Sequence, residues 1–180
     1  MRSPCPSLSL LAPLDAFYAR AGVEPPPAET IADRDVPPSL RAMLSAPGPL
    51  TPRLEVRHRQ TLALRVLERR RQGDVYARRV VLVRRDDGAP VVMGAIEVDL
   101  ARLPEAVRAD VLAERVPFGH LVGGETTRPD ALLRVARDPL IGDALALMVG
   151  DGWLYGRRRT LIDAGATIAS IVEILAPEPG

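Results

Sequence analysis

Val75 to Leu100 reads VYARRVVLVRRDDGAPVVMGAIEVDL. Two runs rich in valine and isoleucine flank Asp86-Asp87-Gly88, a turn signal of the kind that closes a hairpin. The pattern predicts strands over Val75–Arg85 and Pro90–Leu100. Upstream, Thr61–Arg69 carries alternating apolar residues and is followed by Gly73-Asp74, a second turn. Three consecutive strands joined by two hairpins make an antiparallel meander.

Downstream, Leu103, Val107, Val111 and Leu112 recur at helical spacing behind Pro104, which predicts a helix over Leu103–Arg115. Pro117-Phe118-Gly119 breaks it. Leu132–Ala136 reads as a short strand, Pro139–Val149 as a helix, and Leu154–Asp163 with Ala166–Leu175 as a closing hairpin around Ala164-Gly165. The eighteen prolines are spread unevenly, and Pro25-Pro26-Pro27, Pro37-Pro38, Pro47, Pro49 and Pro52 crowd the first third of the chain, upstream of the meander. That region predicts short helices, at Leu11–Arg20, Pro38–Leu44 and Leu54–Arg59, joined by stiff turns. Helices early, strands in runs and helices between them give an α+β domain built on an antiparallel sheet. Residues 1–36 read as a proline-rich helical segment packing on a domain over residues 37–180.

Composition narrows the function. The chain has 180 residues, 47% of them hydrophobic and 26% charged, with a net charge of +1, so nothing marks a polyelectrolyte partner. All 24 basic residues are arginine. The lack of lysine excludes Schiff-base and P-loop chemistry. Cys5 is alone, so there is no internal disulfide, and His58 and His120 do not make a zinc site. Arg69-Arg70-Arg71 and Arg157-Arg158-Arg159 lack the interleaved aromatics of a single-strand nucleic-acid surface. No apolar run approaches the length of a membrane span, and the proline-broken N-terminus reads as mature chain rather than a signal peptide. A cytoplasmic protein with no nucleic-acid partner, no membrane and no metal is expected; monomer and dimer both remain open.

Strand parity then selects candidate site residues. Glu173 shares a face with Ala169, Ile171 and Leu175, and Arg78 shares one with Val80 and Leu82. Gly94 lies on the Val92–Ile96 face. The opposite face, with Met93, Ala95, Glu97 and Asp99, reads as solvated. Charges among apolar neighbours imply either a pocket or a buried ion pair. A glycine on an inward face marks a close approach, a bulge or plain packing.

Several segments in order resemble the chorismate pyruvate-lyase family. These are Pro49-Leu50-Thr51-Pro52-Arg53-Leu54-Glu55, Tyr76 to Leu82 with Gly88-Ala89-Pro90 and Gly94, Leu103-Pro104, Pro117-Phe118-Gly119, Leu154-Tyr155-Gly156-Arg157-Arg158, and Val172-Glu173-Ile174-Leu175-Ala176-Pro177. The resemblance implies a roughly six-stranded antiparallel sheet covered by helices, with the ligand enclosed beneath flap-like segments. It implies a cofactor-free lyase that eliminates pyruvate from chorismate, a dianion, to leave 4-hydroxybenzoate. Under it Arg78 and Glu173 are the catalytic pair, and Gly94, Phe118, Gly119, Leu50 and Arg158 join Arg78 in binding substrate. Leu50, Pro52 and Phe118 depart from the family pattern, and Pro139–Gly150 reads as an insertion. Effector-sensing domains of bacterial regulators share this fold without chemistry, so an aromatic-carboxylate-binding protein is the alternative. No helix-turn-helix domain fits before residue 40.

Overall fold

A computed structural model describes residues 9–122, 127–147 and 152–177. Cys5 and the end of the predicted Pro139–Val149 helix lie outside them. The elements run α1 (Asp15–Ala21), β1 (Ala28–Ile31), α2 (Pro38–Leu44), α3 (Thr51–His58), β2 (Leu62–Gln72), β3 (Val75–Arg84), β4 (Pro90–Asp99), α4 (Glu105–Ala113), α5 (Phe118–Leu121), β5 (Ala131–Ala136), α6 (Pro139–Ala144), β6 (Trp153–Asp163) and β7 (Ala166–Leu175). The strands form one antiparallel sheet of seven, in the order β1-β5-β6-β7-β4-β3-β2. The fold is single-domain α+β.

The seventh strand is β1, which follows the triple proline. Proline blocks helix but tolerates extended chain at a sheet edge, and Ala28–Ile31 pairs there with Leu132–Val135. Proline also starts helices rather than only ending chains: Pro52 sits in the first turn of α3, and Pro117 precedes α5. Phe118-Gly119 thus opens a short helix where a break is predicted.

Both faces of the sheet are covered. On one face Ala77, Val81, Met93, Ala95, Val172 and Ile174 pack under Leu11, Leu14, Phe17 and Tyr18 from α1 and the turn before it, with Ile141 of α6. Met93 and Ala95 are fully buried, so the reading of their face as solvated is corrected. Only Glu97 and Asp99, at the far end of β4, reach water, and each meets an arginine, Arg70 and Arg102.

The other face carries two separate clusters. Leu82, Val92 and Leu175 pack under Met43, Leu44, Leu50 and Leu54 of the α2–α3 region. Tyr76, Ile96, Val98 and Ile171 pack under Val111 of α4 and Phe118 of α5. Sheet residues between the two helical pairs are left to floor a gap.

Candidate functional site

The gap is a cavity of about 40 Å³, which is room for roughly three water molecules. Its floor is Val80, Gly94, Ile96, Ile171 and Glu173; Pro49, Thr51, Pro117, Phe118, Gly119 and Val122 cover it; Arg78, Arg159, Leu64, Leu82 and Val92 complete the lining. Of the residues singled out in the sequence, Arg78, Gly94, Phe118, Gly119 and Glu173 meet here.

Register explains the gathering. Arg78 stands opposite Ile96, Ile96 opposite Ile171, and Ile171 opposite Arg159. The adjacent row reads Val80, Gly94, Glu173, Arg157. Pairing runs regularly through Gly94, so no bulge explains it. A Cβ there would meet the Val172 carbonyl at 3.4 Å, an ordinary contact. What the glycine provides is missing bulk above the floor, beside the Glu173 carboxylate.

Arg78 is 1% exposed. Its Nη1 donates to the Val111 carbonyl and its Nη2 to the Val116 carbonyl, both at 3.2 Å, tying β3 to the end of α4. Its Nε is buried with no hydrogen-bond partner. Burial lowers the pKa of this guanidinium, and nearby Tyr76 and Glu114 work against that shift. Tyr76 donates to Glu114, whose other oxygen meets Arg69 at 3.0 Å.

Glu173 meets Arg157, not Arg78. Arg157 is fully buried and donates from Nε to Glu173 Oε2 at 2.7 Å. It also donates from Nη1 to the Ala46 carbonyl at 3.2 Å and from Nη2 to the Gly48 carbonyl at 3.0 Å. Arg53 bonds the carbonyls of Pro47, Gly48 and Pro49 from the other side. Two guanidiniums thereby fold the segment that leads into Pro49 and Thr51, and one of them fixes Glu173 to it. Burial lowers the Arg53 pKa, Arg157 adds to this, and Glu173 opposes it. Arg159 is lowered by burial, with Glu173 opposing and Arg53 adding.

Two of the predicted contacts are corrected. Arg158 points to the opposite face, where it approaches Asp130 at 3.9 Å and the Ser9 carbonyl at 3.4 Å. Alternation gives the cavity face to Arg157 and Arg159 instead. Leu50 immediately precedes α3 and is wholly buried in the core cluster with Leu54 and Val92; its neighbours Pro49 and Thr51 line the cavity.

Two glycines are required by close approach. A Cβ at Gly119 would fall 2.9 Å from Thr51 Oγ1 and 3.2 Å from Pro49 Cβ, so α5 lies directly on the start of α3. His120 Nε2 adds a contact to Glu55 Oε2 at 3.0 Å. A Cβ at Gly156 would fall 2.3 Å from the Glu173 carbonyl oxygen, so β6 approaches β7 beside the carboxylate.

A more open groove of about 670 Å³, lined by Met43, Leu54, His58, Arg84, Leu145 and Leu175 among others, lies outside this constellation. Among the described residues no group of three or more His, Cys, Asp or Glu is placed to hold a metal, and no helix is long and apolar enough to cross a membrane.

No family model matches the sequence, and no curated protein matches it. Solved structures do. The ligand-binding domain of a putative GntR-family transcriptional regulator from Bordetella bronchiseptica matches with a TM-score of 0.46 at 19% identity, covering 63% of this chain and 83% of that one. A GntR-family transcriptional regulator from Bacillus cereus matches with a TM-score of 0.42 at 15% identity, covering 64% of this chain and 92% of that one.

Proposed function

We propose that the cavity binds a small organic acid, an aromatic carboxylate first of all, and that the protein acts as a small-molecule-binding protein. One observation carries this reading: Arg78 is buried against an apolar-floored cavity, and the carboxylate that lines it among the described residues, Glu173, is ion-paired to Arg157 rather than to Arg78. A buried guanidinium facing such a cavity favours an anionic ligand. Arginine suits a carboxylate because its planar fork donates two parallel hydrogen bonds. The Arg78 Nε supports this, being a buried donor with no partner. Ile96, Ile171 and the bare Gly94 suit the flat face of a ring. A ring needs more space than the cavity offers, so ligand entry moves α5 or the side chains around it.

A second reading is elimination of pyruvate from chorismate, and the position of Glu173 beside Gly94 favours it. In that reading Arg78 clamps the enolpyruvyl carboxylate. The ring C4 proton is removed and the C3–O bond breaks. The leaving enolpyruvate takes up a proton to become pyruvate, and the ring becomes 4-hydroxybenzoate. Aromatisation drives the step, so the protein orients the substrate and moves protons. Glu173 handles a proton through Oε1, since Oε2 is engaged by Arg157.

Calorimetry with 4-hydroxybenzoate, beside chromatography of a chorismate incubation, separates the readings. Binding abolished in Arg78→Ala, with chorismate unchanged, supports the binding protein. Equimolar 4-hydroxybenzoate and pyruvate, lost in Glu173→Gln, supports the lyase. Absence of both binding and turnover would sink both.

A further inference from the structure

The roof of the cavity is held from outside as well as from within. Phe118 and Gly119 of α5 face the cavity, and Phe118 packs into the cluster with Ile96 and Ile171. His120, the next residue, points elsewhere: its Nε2 stands 3.0 Å from Glu55 Oε2 on α3. The largely buried Glu55 is anchored on its far side, since its Oε1 accepts from the Leu62 N–H at 2.9 Å and Leu62, itself buried, opens β2. The carboxylate is thus a post fixed to the sheet. The partly exposed imidazole sits on a helix of four residues, whose own bonds run from the His120 N–H to the Pro117 carbonyl and from the Val122 N–H to the Phe118 carbonyl. A ring does not fit in about 40 Å³, so this roof lifts to admit one, and lifting α5 from α3 parts the pair.

We propose that the His120–Glu55 pair is the latch of the cavity: it holds α5 on α3 whether the cavity is empty or filled, and its breaking sets the rate at which molecules pass the roof. The proposal rests on the organic-acid reading above for the identity of the guest but not for the motion. A latch that touches no guest changes traffic and leaves affinity alone, which separates it from a residue that binds.

Thiol trapping tests it without a ligand. Val80→Cys puts a thiol on the cavity floor, in a Cys5→Ser chain so that no other thiol competes. Its reaction with methyl methanethiosulfonate is expected to be about fivefold faster with His120→Ala, the scale of one partly exposed ion pair. His120→Gln, which can still donate to Glu55, should restore much of the original rate, and Glu55→Gln should add little once His120 is alanine. Val81→Cys, under α1 on the opposite face, should react far more slowly, because global unfolding alone exposes it. In stopped-flow with 4-hydroxybenzoate, His120→Ala should raise the association and dissociation rates by the same factor and leave Kd within about twofold. A trapping rate unmoved by His120→Ala, or equal rates for Val80→Cys and Val81→Cys, would overturn the latch, as would a weakened Kd at an unchanged association rate. If the wild-type protein binds no 4-hydroxybenzoate, the organic-acid reading falls, and the trapping rates decide the latch on their own.

Discussion

Arg157 donates three hydrogen bonds, one to Glu173 and two to backbone carbonyls, from a fully buried position. Truncating it leaves a largely buried carboxylate without its cation. Arg157→Gln is therefore expected to lose roughly 3 kcal/mol of stability in urea denaturation. Arg158→Gln, on a partly exposed side chain with a loose ion pair, should stay within about 1 kcal/mol of wild type. The two arginines are neighbours in sequence, and the difference between them is a matter of register. Between Leu161↔Ala169 and Ile162↔Thr167 the pairing shifts, leaving Ile168 as an extra residue in β7. A tight-turn count from Asp163↔Ala166 without that bulge sets Gly156 opposite Glu173 and turns Arg158 toward the cavity. With the bulge, Arg157 takes the place opposite Glu173. Arg78, Gly94 and Glu173 were legible because alternation along one strand needs only local counting. Arg157 and Arg159 were not, because their side depends on pairing across a bulged hairpin.

At the scale of elements, the cover of the cavity hangs on backbone contacts that glycine permits. Gly119→Ala forces a methyl against Thr51 and Pro49. A loss of about 1–3 kcal/mol is expected by thermal or chemical denaturation. Because α5 is pushed from α3, association of 4-hydroxybenzoate in stopped-flow fluorescence should be faster than in wild type. Gly156→Ala sets its methyl against the carbonyl of Glu173, a backbone atom that cannot swing aside. It should be the more damaging of the two, with a loss above about 4 kcal/mol or failure to fold. The meander, the closing hairpin and most helices were readable from turn residues and periodicity. β1 was not, since a four-residue edge strand owes its existence to β5 across from it. The burial of Met93 and Ala95 was also hidden, because Glu97 and Asp99 at the end of the strand spoke for a face that α1 covers for most of its length.

For the whole molecule, Tyr76 and His58 are two of the groups that make stability depend on pH. Tyr76 is pushed up to about 12 by burial and by donating to Glu114. Its folded form holds the proton more tightly than the unfolded chain, so stability is complete below the ordinary tyrosine range and falls as pH rises from about 10 to 12. Tyr76→Phe should remove this part of the alkaline fall in denaturation curves, leaving the part due to Tyr18, which burial also pushes up. His58 is shifted the other way, down, by burial and by Arg84 and Arg57, against Asp86 and Asp87. The unfolded chain then takes up the proton first, so stability falls as pH drops below about 6.5, and His58→Gln should remove this part of the acid loss.

The cavity floor belongs to β4 and β7, with their neighbours β3 and β6, and none of these is an edge strand. Its roof is a four-residue helix, the first residue of α3 and the loop residues beside them. Amides on the floor should exchange with deuterium only when the whole domain unfolds, and those of α5 through small local openings. Admission of a ligand and survival of the fold are thereby set by different free energies. Substitutions in the roof can retune how fast a guest enters and leaves while the platform that reads its charges stays as it is.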